Sequence, residues 1–332
     1  MRWASLLKKT LIGYLVAAGV AAHVAAVAAL VIALNYFQLT PSQFVVKAME
    51  KTGVDSPWLV AAVAPDERYA DQPMDGHLRR AHPRILLPEL SQWDGRGKPA
   101  LIRQRERMWE QLGIKAYSAC RNGGLLGRTA CWVSGGDKTP PRQLIDRLKN
   151  FKVTTPDVSG NYGNGWILAF AYDFLSRYPG FNDSERALVK AKLENALAEY
   201  LRLLDDPSPS LWHGRTSLAA SAWLCAVVLD ADTERRADLI RRAQAHFLDV
   251  IDAADLTEAW PEGYNYWIQN RALLFALAGS AYVNGLEDAR RADKVHKVME
   301  RVGLWHVYAT RPDNRIEPLG DDAQVVALAD LV

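Results

Sequence analysis

The feature that most constrains this chain is a run of 27 residues, 11–37, that contains no Asp, Glu, Lys or Arg. As an α-helix it would be about 40 Å long, enough to cross a bilayer whose hydrocarbon core is about 30 Å thick. Arg2, Lys8 and Lys9 precede the run, so the positive-inside rule places the N-terminus in the cytoplasm. A cleaved signal peptide is the alternative, but its apolar region usually has only about 7–15 residues. We therefore expect residues 1–40 to form a short cytoplasmic start and an uncleaved transmembrane anchor.

This orientation places the rest of the chain outside the cytoplasm. The expected location is a bacterial inner membrane, with a single pass and the body in the periplasm. The first 49 residues hold four cations and no acid, which leaves 36 cations against 38 acids in the remainder, a net charge of −2. Such a body lacks the basic face that phosphate binding needs, and we expect no nucleic-acid partner.

Cysteine usage adds little to this assignment. Cys120 and Cys131 flank a predicted glycine-rich loop, residues 122–127, and an oxidising compartment would permit a bridge that closes it. Cys225 lies in an alanine-rich helical pattern and is predicted to be a buried free thiol. Three cysteines show no metal-ligand spacing, so neither a metal nor another cofactor is expected.

The chain beyond the anchor divides into a membrane-proximal linker, residues 41–97, and a helical domain, residues 98–332. Four prolines between residues 64 and 90 favour extended structure in the linker. Strand patterns are scarce in the domain, and apolar residues recur at helical spacing. This predicts an all-α fold, either an open bundle or a toroid of helical hairpins. The predicted helices cover residues 99–112, 141–150, 166–178, 182–204, 214–229, 232–253, 263–284 and 286–309.

The helix that begins after Asn182 has the clearest pattern. Asn182 can cap it, and Glu185 stands three residues later, as a capping box requires. An apolar stripe at helical spacing follows, formed by Leu193, Leu197, Tyr200, Leu201 and Leu204.

Two loop-to-helix junctions carry residues suited to chemistry. Residues 211–217 bring an imidazole and a guanidinium, His213 and Arg215, to a helix N-terminus, where free backbone N–H groups and the helix dipole favour an anion. Residues 258–267 are rich in aromatic side chains, and Tyr264 would share a helical face with Arg271. Plain structural roles, a capping segment and an aromatic core stripe, stay open for both. Two further loops, residues 161–166 and 313–322, are candidates to line a cleft.

Several short motifs, spread in order over about residues 82–325, resemble the heparinase II/III-like polysaccharide lyases and their alginate-lyase relatives. The resemblance implies an incomplete (α/α) toroid followed by a β-sandwich; this chain stops at Val332 without one, and we expect a longer natural chain. The motifs are His82-Pro83-Arg84-Ile85-Leu86-Leu87, residues 168–175 with 181–186, the His213 junction, Pro261-Glu262-Gly263-Tyr264 and Pro318-Leu319-Gly320-Asp321-Asp322.

The resemblance further implies that an acidic polysaccharide is cleaved by β-elimination, with exopolysaccharide-system proteins as candidate partners. The catalytic tyrosine of the family maps onto Tyr264, and its histidine at a helix N-terminus maps onto His213. Tyrosine has an ordinary pKa of about 10, and a guanidinium such as that of Arg271 would lower it and supply a phenolate base. The candidate substrate-binding residues, taken from the two junctions and the helix that follows the second, are Trp212, Arg215, Trp260, Glu262, Trp267 and Arg271.

Two other functions stay open on the sequence. A non-catalytic binding or assembly component of a polysaccharide export system is favoured by the missing β-sandwich and by Trp212, which stands where the family commonly has Asn. A glycoside hydrolase on a similar toroid would need two carboxylates across the cleft, about 5 Å or about 6.5–9.5 Å apart. Glu262 and Asp321 are the candidates for that pair.

Overall fold

The structure, a computed structural model, describes the chain in ten stretches. The helical residues near the N-terminus belong to one compact unit, and the described residues from 72 onward belong to a second. The described stretches are residues 18–32, 72–85, 124–134, 141–156, 162–176, 178–205, 212–257, 260, 271–309 and 312.

In the first unit, residues 18–32 form an α-helix, and the rest of the predicted anchor lies outside the described residues. All 15 side-chain positions are exposed and none carries a formal charge. His23 Nδ1 lies 3.2 Å from the carbonyl oxygen of Gly19, one turn earlier. Across the described stretches, no helix combines the length and the apolar character needed to span a membrane.

The second unit is built from helices, which confirms the all-α prediction. Its described strands are β1 (His77–Leu78) and β2 (Leu286–Glu287), and they pair antiparallel with His77 opposite Glu287. The described helices are α1 (Leu125–Ser134), α2 (Pro141–Lys149), α3 (Gly165–Leu175), α4 (Asp183–Leu204), α5 (Trp212–Val227), α6 (Glu234–Thr257), α7 (Arg271–Gly285) and α8 (Ala292–Tyr308).

The helices alternate between two rows. In one row, α1 packs on α3, α3 on α5 and α5 on α7; in the other, α2 packs on α4, α4 on α6 and α6 on α8. Helix α5 also contacts α4 and α6, so it lies at the centre of the unit. Its side chains from His213 onward are buried except Arg215, which is why its sequence is apolar on every face.

Helix α4 shows how closely local sequence determines an element. Asn182 Oδ1 accepts the N–H of Glu185 at 2.9 Å, and Glu185 Oε2 accepts the N–H of Asn182 at 3.2 Å, which confirms the capping box. Every residue of the predicted apolar stripe is buried. Cys225 on α5 is a buried free thiol, as predicted, and burial raises its pKa.

Two predicted boundaries were wrong. The predicted glycine-rich loop gives way to helix α1 at Leu125, because Leu125 and Thr129, one turn apart, are both buried. The single helix predicted over residues 286–309 is interrupted. Strand β2 is followed by Asp288 with a φ of 57°, and the helix begins at Ala292. The proposed Cys120–Cys131 bridge and the predicted helix 99–112 lie outside the described residues.

The motif at residues 82–85 is anchored to helix α3 through one buried carboxylate. Asp173 accepts the backbone N–H of Arg84 at 2.8 and 2.9 Å and that of Ile85 at 2.8 Å. His82 Nδ1 lies 2.6 Å from the same carboxylate. Because Asp173 is fully buried, these donors are what compensates the loss of water around its charge.

The Arg84 side chain in turn closes the C-terminal end of α5. Its guanidinium donates to the carbonyl oxygens of Val227 and Leu229, both at 3.0 Å, and to Asp230 at 3.1 Å. A helix C-terminus leaves carbonyl groups without intrahelical donors, and a cation there also complements the helix dipole. Residues 72–85, which the sequence analysis places in the linker, therefore pack as part of the helical unit.

We expect Glu185 to make the stability of this unit sensitive to acid. Hydrogen bonds from Arg142, at 2.5 and 3.1 Å, and from Lys149, at 2.8 Å, lower its pKa from 4.5 to about 2. A lowered carboxyl pKa stabilises the folded state above the ordinary value, and this stabilisation is lost as the pH falls towards about 2. The free-energy gap between wild type and Glu185→Gln, measured by urea denaturation, should therefore shrink between pH 5 and pH 2.

The exposed Glu300 on α8 provides the control for this experiment. Glu300→Gln should leave the free energy of unfolding nearly unchanged at every pH, since it removes no buried ion pair. A Glu185→Gln gap of constant size down to pH 2 would contradict the assignment.

Candidate functional site

Three segments that are far apart in the sequence meet in the helical unit: the turn before α3, the first described turn of α5 and the first described residue of α7. The ring of Tyr162 packs edge-on against the ring of His213, with centroids 5.8 Å apart. The guanidinium of Arg271 lies over the Tyr162 ring, 5.3 Å from its centroid. We call Tyr162, His213 and Arg271 the tyrosine cluster. It joins the junction at residues 211–217 and the start of the described part of α7 to the loop at residues 161–166.

The backbone around Gly163 determines where Tyr162 lies. Gly163 has a φ of 71°, and a Cβ at this position would come within 2.6 Å of the Tyr200 hydroxyl, so only glycine fits. The Tyr200 oxygen accepts the N–H of Gly165 at 3.0 Å. Asn164 adds a second attachment, because its Oδ1 accepts the N–H of Thr154 at 2.8 Å. These two hydrogen bonds, to Tyr200 on α4 and to Thr154, fix the turn before α3.

The cluster has the electrostatic character of an anion site. Helix α5 is described from Trp212, one residue before His213, and Arg271 is the first described residue of α7. Free N–H groups and the helix dipole at the N-terminal end that the sequence predicts for α5 favour an anion near His213. Arg271 contributes a permanent positive charge, while His213 can contribute either a hydrogen bond or a charge. A carboxylate is the kind of group that such an arrangement favours.

His213 itself is only 5% exposed. Thr216, one turn along α5, donates its hydroxyl to the His213 carbonyl oxygen at 3.1 Å. The imidazole is thus almost fully buried and packs against Tyr162.

Arg215 is placed differently from His213. Its Nη2 donates to Asp249 on α6 at 3.1 Å, and residues two apart on a helix point in roughly opposite directions. Its charge also lowers the pKa of His246, although burial of that ring is the larger cause. The contact to Asp249 places the Arg215 side chain at the interface between α5 and α6.

Trp260 is placed in the core. It is 1% exposed and meets the ring of Phe275 on α7 edge-on, with centroids 5.7 Å apart. A ring in this environment offers no open face to a sugar. The position agrees with the core-aromatic interpretation that the sequence analysis left open for this junction.

The remaining predicted site residues lie outside the described stretches. They include the predicted catalytic tyrosine, so the expected pairing of His213 with Tyr264 in one cleft stays a prediction. The same holds for the carboxylate pair proposed for a hydrolase. These residues are Glu262, Tyr264, Trp267, Asp321 and the side chain of Trp212.

Sequence reasoning did not single out Tyr162 as a site residue. It marked the loop at residues 161–166 for its glycine, asparagine and aromatic composition, but that composition is common in turns. The informative signal was the pair Gly163 and Gly165 beside an aromatic residue, since glycine allows close approach of the backbone. Only the packing of α3 beside α5 shows that Tyr162 covers His213.

Within the described stretches, no group of three or more His, Cys, Asp or Glu side chains could hold a metal ion. Comparisons with protein-family models, with curated proteins and with solved structures found no match to this chain. The case for a function consequently comes from the sequence motifs and from the geometry around Tyr162.

Proposed function

We propose that this chain is a membrane-anchored, polysaccharide lyase-like protein that cleaves a uronate-containing exopolysaccharide by β-elimination. The observation that carries the proposal is the tyrosine cluster, in which Tyr162 contacts both His213 and Arg271. His213 belongs to the junction at residues 211–217, and Arg271 lies four residues beyond the aromatic junction at residues 258–267. A cationic, aromatic site beside the first described turn of α5 suits the carboxylate and the ring of a uronate unit.

The two rows of helices support the finer part of the fold prediction, an incomplete (α/α) toroid. In such a fold the chain alternates between an inner and an outer layer of helical hairpins. The row α1, α3, α5, α7 would be the inner layer, and its N-terminal ends would line the cleft. The tyrosine cluster joins three of these helices, because Tyr162 precedes α3, His213 lies on α5 and Arg271 lies on α7.

The chemistry of the proposed reaction assigns separate tasks to these residues. A base removes the proton from C5, the electrons form a C4–C5 double bond, and the C4–oxygen bond breaks as an acid protonates the departing oxygen. The C5 proton is weakly acidic until the carboxylate is neutralised, so electrostatic stabilisation is the largest contribution. His213, Arg271 and the helix N-termini would neutralise the carboxylate, and Tyr264 would be the base.

The membrane anchor belongs to the same proposal. Residues 11–37 carry no formal charge and follow three cations. Their described part, residues 18–32, is a helix with every side exposed, as expected of an apolar helix that would be surrounded by lipid. Anchored in this way, the helical unit would act in the periplasm of a bacterium, on polymer passing through an export system.

A non-catalytic role in binding or assembling the same polymer is the second candidate. The observation that favours it is the burial of His213 beneath Tyr162. A residue that neutralises a developing charge must contact the substrate, and His213 is almost fully buried. A binding protein needs only the partly exposed members of the cluster, Arg271 and Tyr162.

The proposal is tested with the full chain in detergent and a panel of uronate polymers. Turnover should create unsaturated products that absorb in the ultraviolet. Arg271→Ala should weaken polymer binding about tenfold or more, because a hydrogen bond to a charged group contributes roughly 1.5–3 kcal/mol. Arg235→Ala is the matched control, since its side chain is 68% exposed on α6 and its described ion pair is with Glu194, outside the tyrosine cluster.

Each result points to one function. Binding without ultraviolet product across the whole panel would favour the non-catalytic role. New reducing ends without ultraviolet absorbance would favour a hydrolase. Equal polymer binding by wild type and Arg271→Ala would show that the tyrosine cluster takes part in neither the catalytic nor the non-catalytic role.

A further inference from the structure

A groove of about 250 Å³ lies between the extended residues 151–156 and helix α4. It is distinct from the tyrosine cluster, and none of the residues predicted for the site lines it. Its apolar surface comes from Phe151, Val153, Pro156 and Ala196. Its polar groups come from Thr154, Thr155, Lys192, Asn195 and Glu199.

The charges in the groove oppose an anionic ligand. The Lys192 ammonium donates to the carbonyl oxygens of Lys149 and Phe151, the latter at 3.1 Å, at the C-terminal end of α2. Its positive charge is thus engaged by a helix C-terminus, where a cation is stabilised. Glu199 brings a carboxylate into the same groove and pairs at 3.1 Å with Arg202, which does not line the groove. A second carboxylate beside Glu199 would still meet a like charge. The lining therefore carries one cation and one anion, without a net charge.

The polar groups that remain suit hydroxyl groups. Asn195 is exposed on α4, and its amide offers two donors and an acceptor. The Thr154 hydroxyl can donate and accept, and Glu199 can accept. These groups stand beside an aromatic ring, a proline and a valine, which can contact the C–H face of a sugar ring. A mostly apolar surface with a few placed polar groups is the common composition of a small-molecule site.

We propose that this groove binds a neutral hexose unit. The Thr154 N–H donates to Asn164 Oδ1 at 2.8 Å, and Asn164 Nδ2 donates to the carbonyl oxygen of Lys152 at 3.1 Å. Asn164 follows Tyr162 by two residues, so the 162–165 turn joins the groove to the tyrosine cluster. The substrate is then a mixed polymer, with a uronate at the cluster and a neutral sugar at the groove. This assignment of a sugar ligand rests on the proposed function.

The test is calorimetric titration of the full chain in detergent with cellobiose, mannobiose and galactobiose, and with digalacturonate as the charged counterpart. At least one neutral disaccharide should bind, and Asn195→Ala should weaken it about three- to tenfold, the effect of losing one or two hydrogen bonds. Alanine is a good helix former, so this exposed substitution should leave α4 intact. Asn150→Ala, an exposed asparagine that does not line the groove, should bind as wild type does.

A second variant, Glu199→Gln, tests whether the carboxylate in the groove disfavours an anionic ligand. Glu199→Gln should retain the neutral disaccharide and should let digalacturonate bind more tightly at the groove, because the repelling carboxylate is gone. The absence of binding by all three neutral disaccharides would overturn the proposal. So would unchanged affinity in Asn195→Ala, or wild-type binding of digalacturonate that Asn195→Ala abolishes.

Failure of the groove and failure of the proposed function give different results. Arg271→Ala should leave neutral-disaccharide affinity unchanged, since Arg271 lies in the cluster. If uronate polymers bind and neutral disaccharides do not, the groove proposal alone is wrong. If neutral disaccharides bind and no uronate polymer does, the proposed function is wrong while the groove stands.

Discussion

Replacing Asp173 by alanine should lower the free energy of unfolding by about 3–5 kcal/mol, the usual cost of removing one partner from a buried charged network. The carboxylate accepts the N–H groups of Arg84 and Ile85 and lies 2.6 Å from His82 Nδ1. Alanine leaves these groups buried without an acceptor, and each unsatisfied group costs about 1–3 kcal/mol. A domain is usually stable by only about 5–15 kcal/mol, so this variant should approach the limit of folding.

Urea denaturation followed by circular dichroism measures this effect. Asp173→Asn should be intermediate, because its carbonyl oxygen keeps one acceptor while its amide group faces donors. Asp183→Ala is the control on the neighbouring helix. That side chain is fully exposed and its ion pair with Arg186 is local, so the free energy of unfolding should change much less than in Asp173→Ala. A loss below about 1 kcal/mol in Asp173→Ala would show that the motif at residues 82–85 is not held by this carboxylate.

Tyr264→Phe should reduce turnover about 10²–10⁴-fold if the complete protein is a lyase, because general acid–base catalysis contributes that much. The substitution removes only the hydroxyl group, and the ring and its packing remain. Polysaccharide binding should therefore be largely retained. His213→Ala should also reduce turnover, since neutralising the carboxylate matters most when charge develops in the transition state.

Glu262→Gln is the discriminating variant for this prediction. In the proposed mechanism Glu262 transfers no proton, so the effect of Glu262→Gln on turnover should be small. Ultraviolet absorbance of the unsaturated product is measured alongside a binding assay for each variant. A strong loss in Glu262→Gln with a mild loss in Tyr264→Phe would move the case to glycoside hydrolysis.

His82 and His213 each belong to one of the short motifs, but the two histidines have different roles, which the motifs alone do not show. His82 lies beside the fully buried Asp173 and helps to hold the chain onto α3. His213 lies in the first described turn of α5, against Tyr162 and with the Arg271 guanidinium over the same ring, where a positive charge favours an anion. A motif match therefore identifies residues worth testing, and the environment of each side chain decides between structure and chemistry.

The sequence by itself determined the helical character of the body and much of its layout. The Asn182–Glu185 capping box, the stripe from Leu193 to Leu204 and the burial of Cys225 were all readable in advance. Each of these features depends on residues within a few positions of one another. The interactions that cause such short-range patterns can therefore be recognised in the sequence. The start of α1 and the break before α8 were missed, because burial of Thr129 and the turn at Asp288 depend on distant packing.

Tertiary structure alone decided which of the marked residues meet. Tyr162 contacts both His213 and Arg271. Arg215 instead donates a hydrogen bond to Asp249, and Trp260 lies in the core. Sequence spacing places residues on a helical face, but the direction of that face is set by the helices packed around it. In this unit α5 is enclosed by four neighbours, so a shift of two positions along it separates the anion-favouring end from the buried interface with α6.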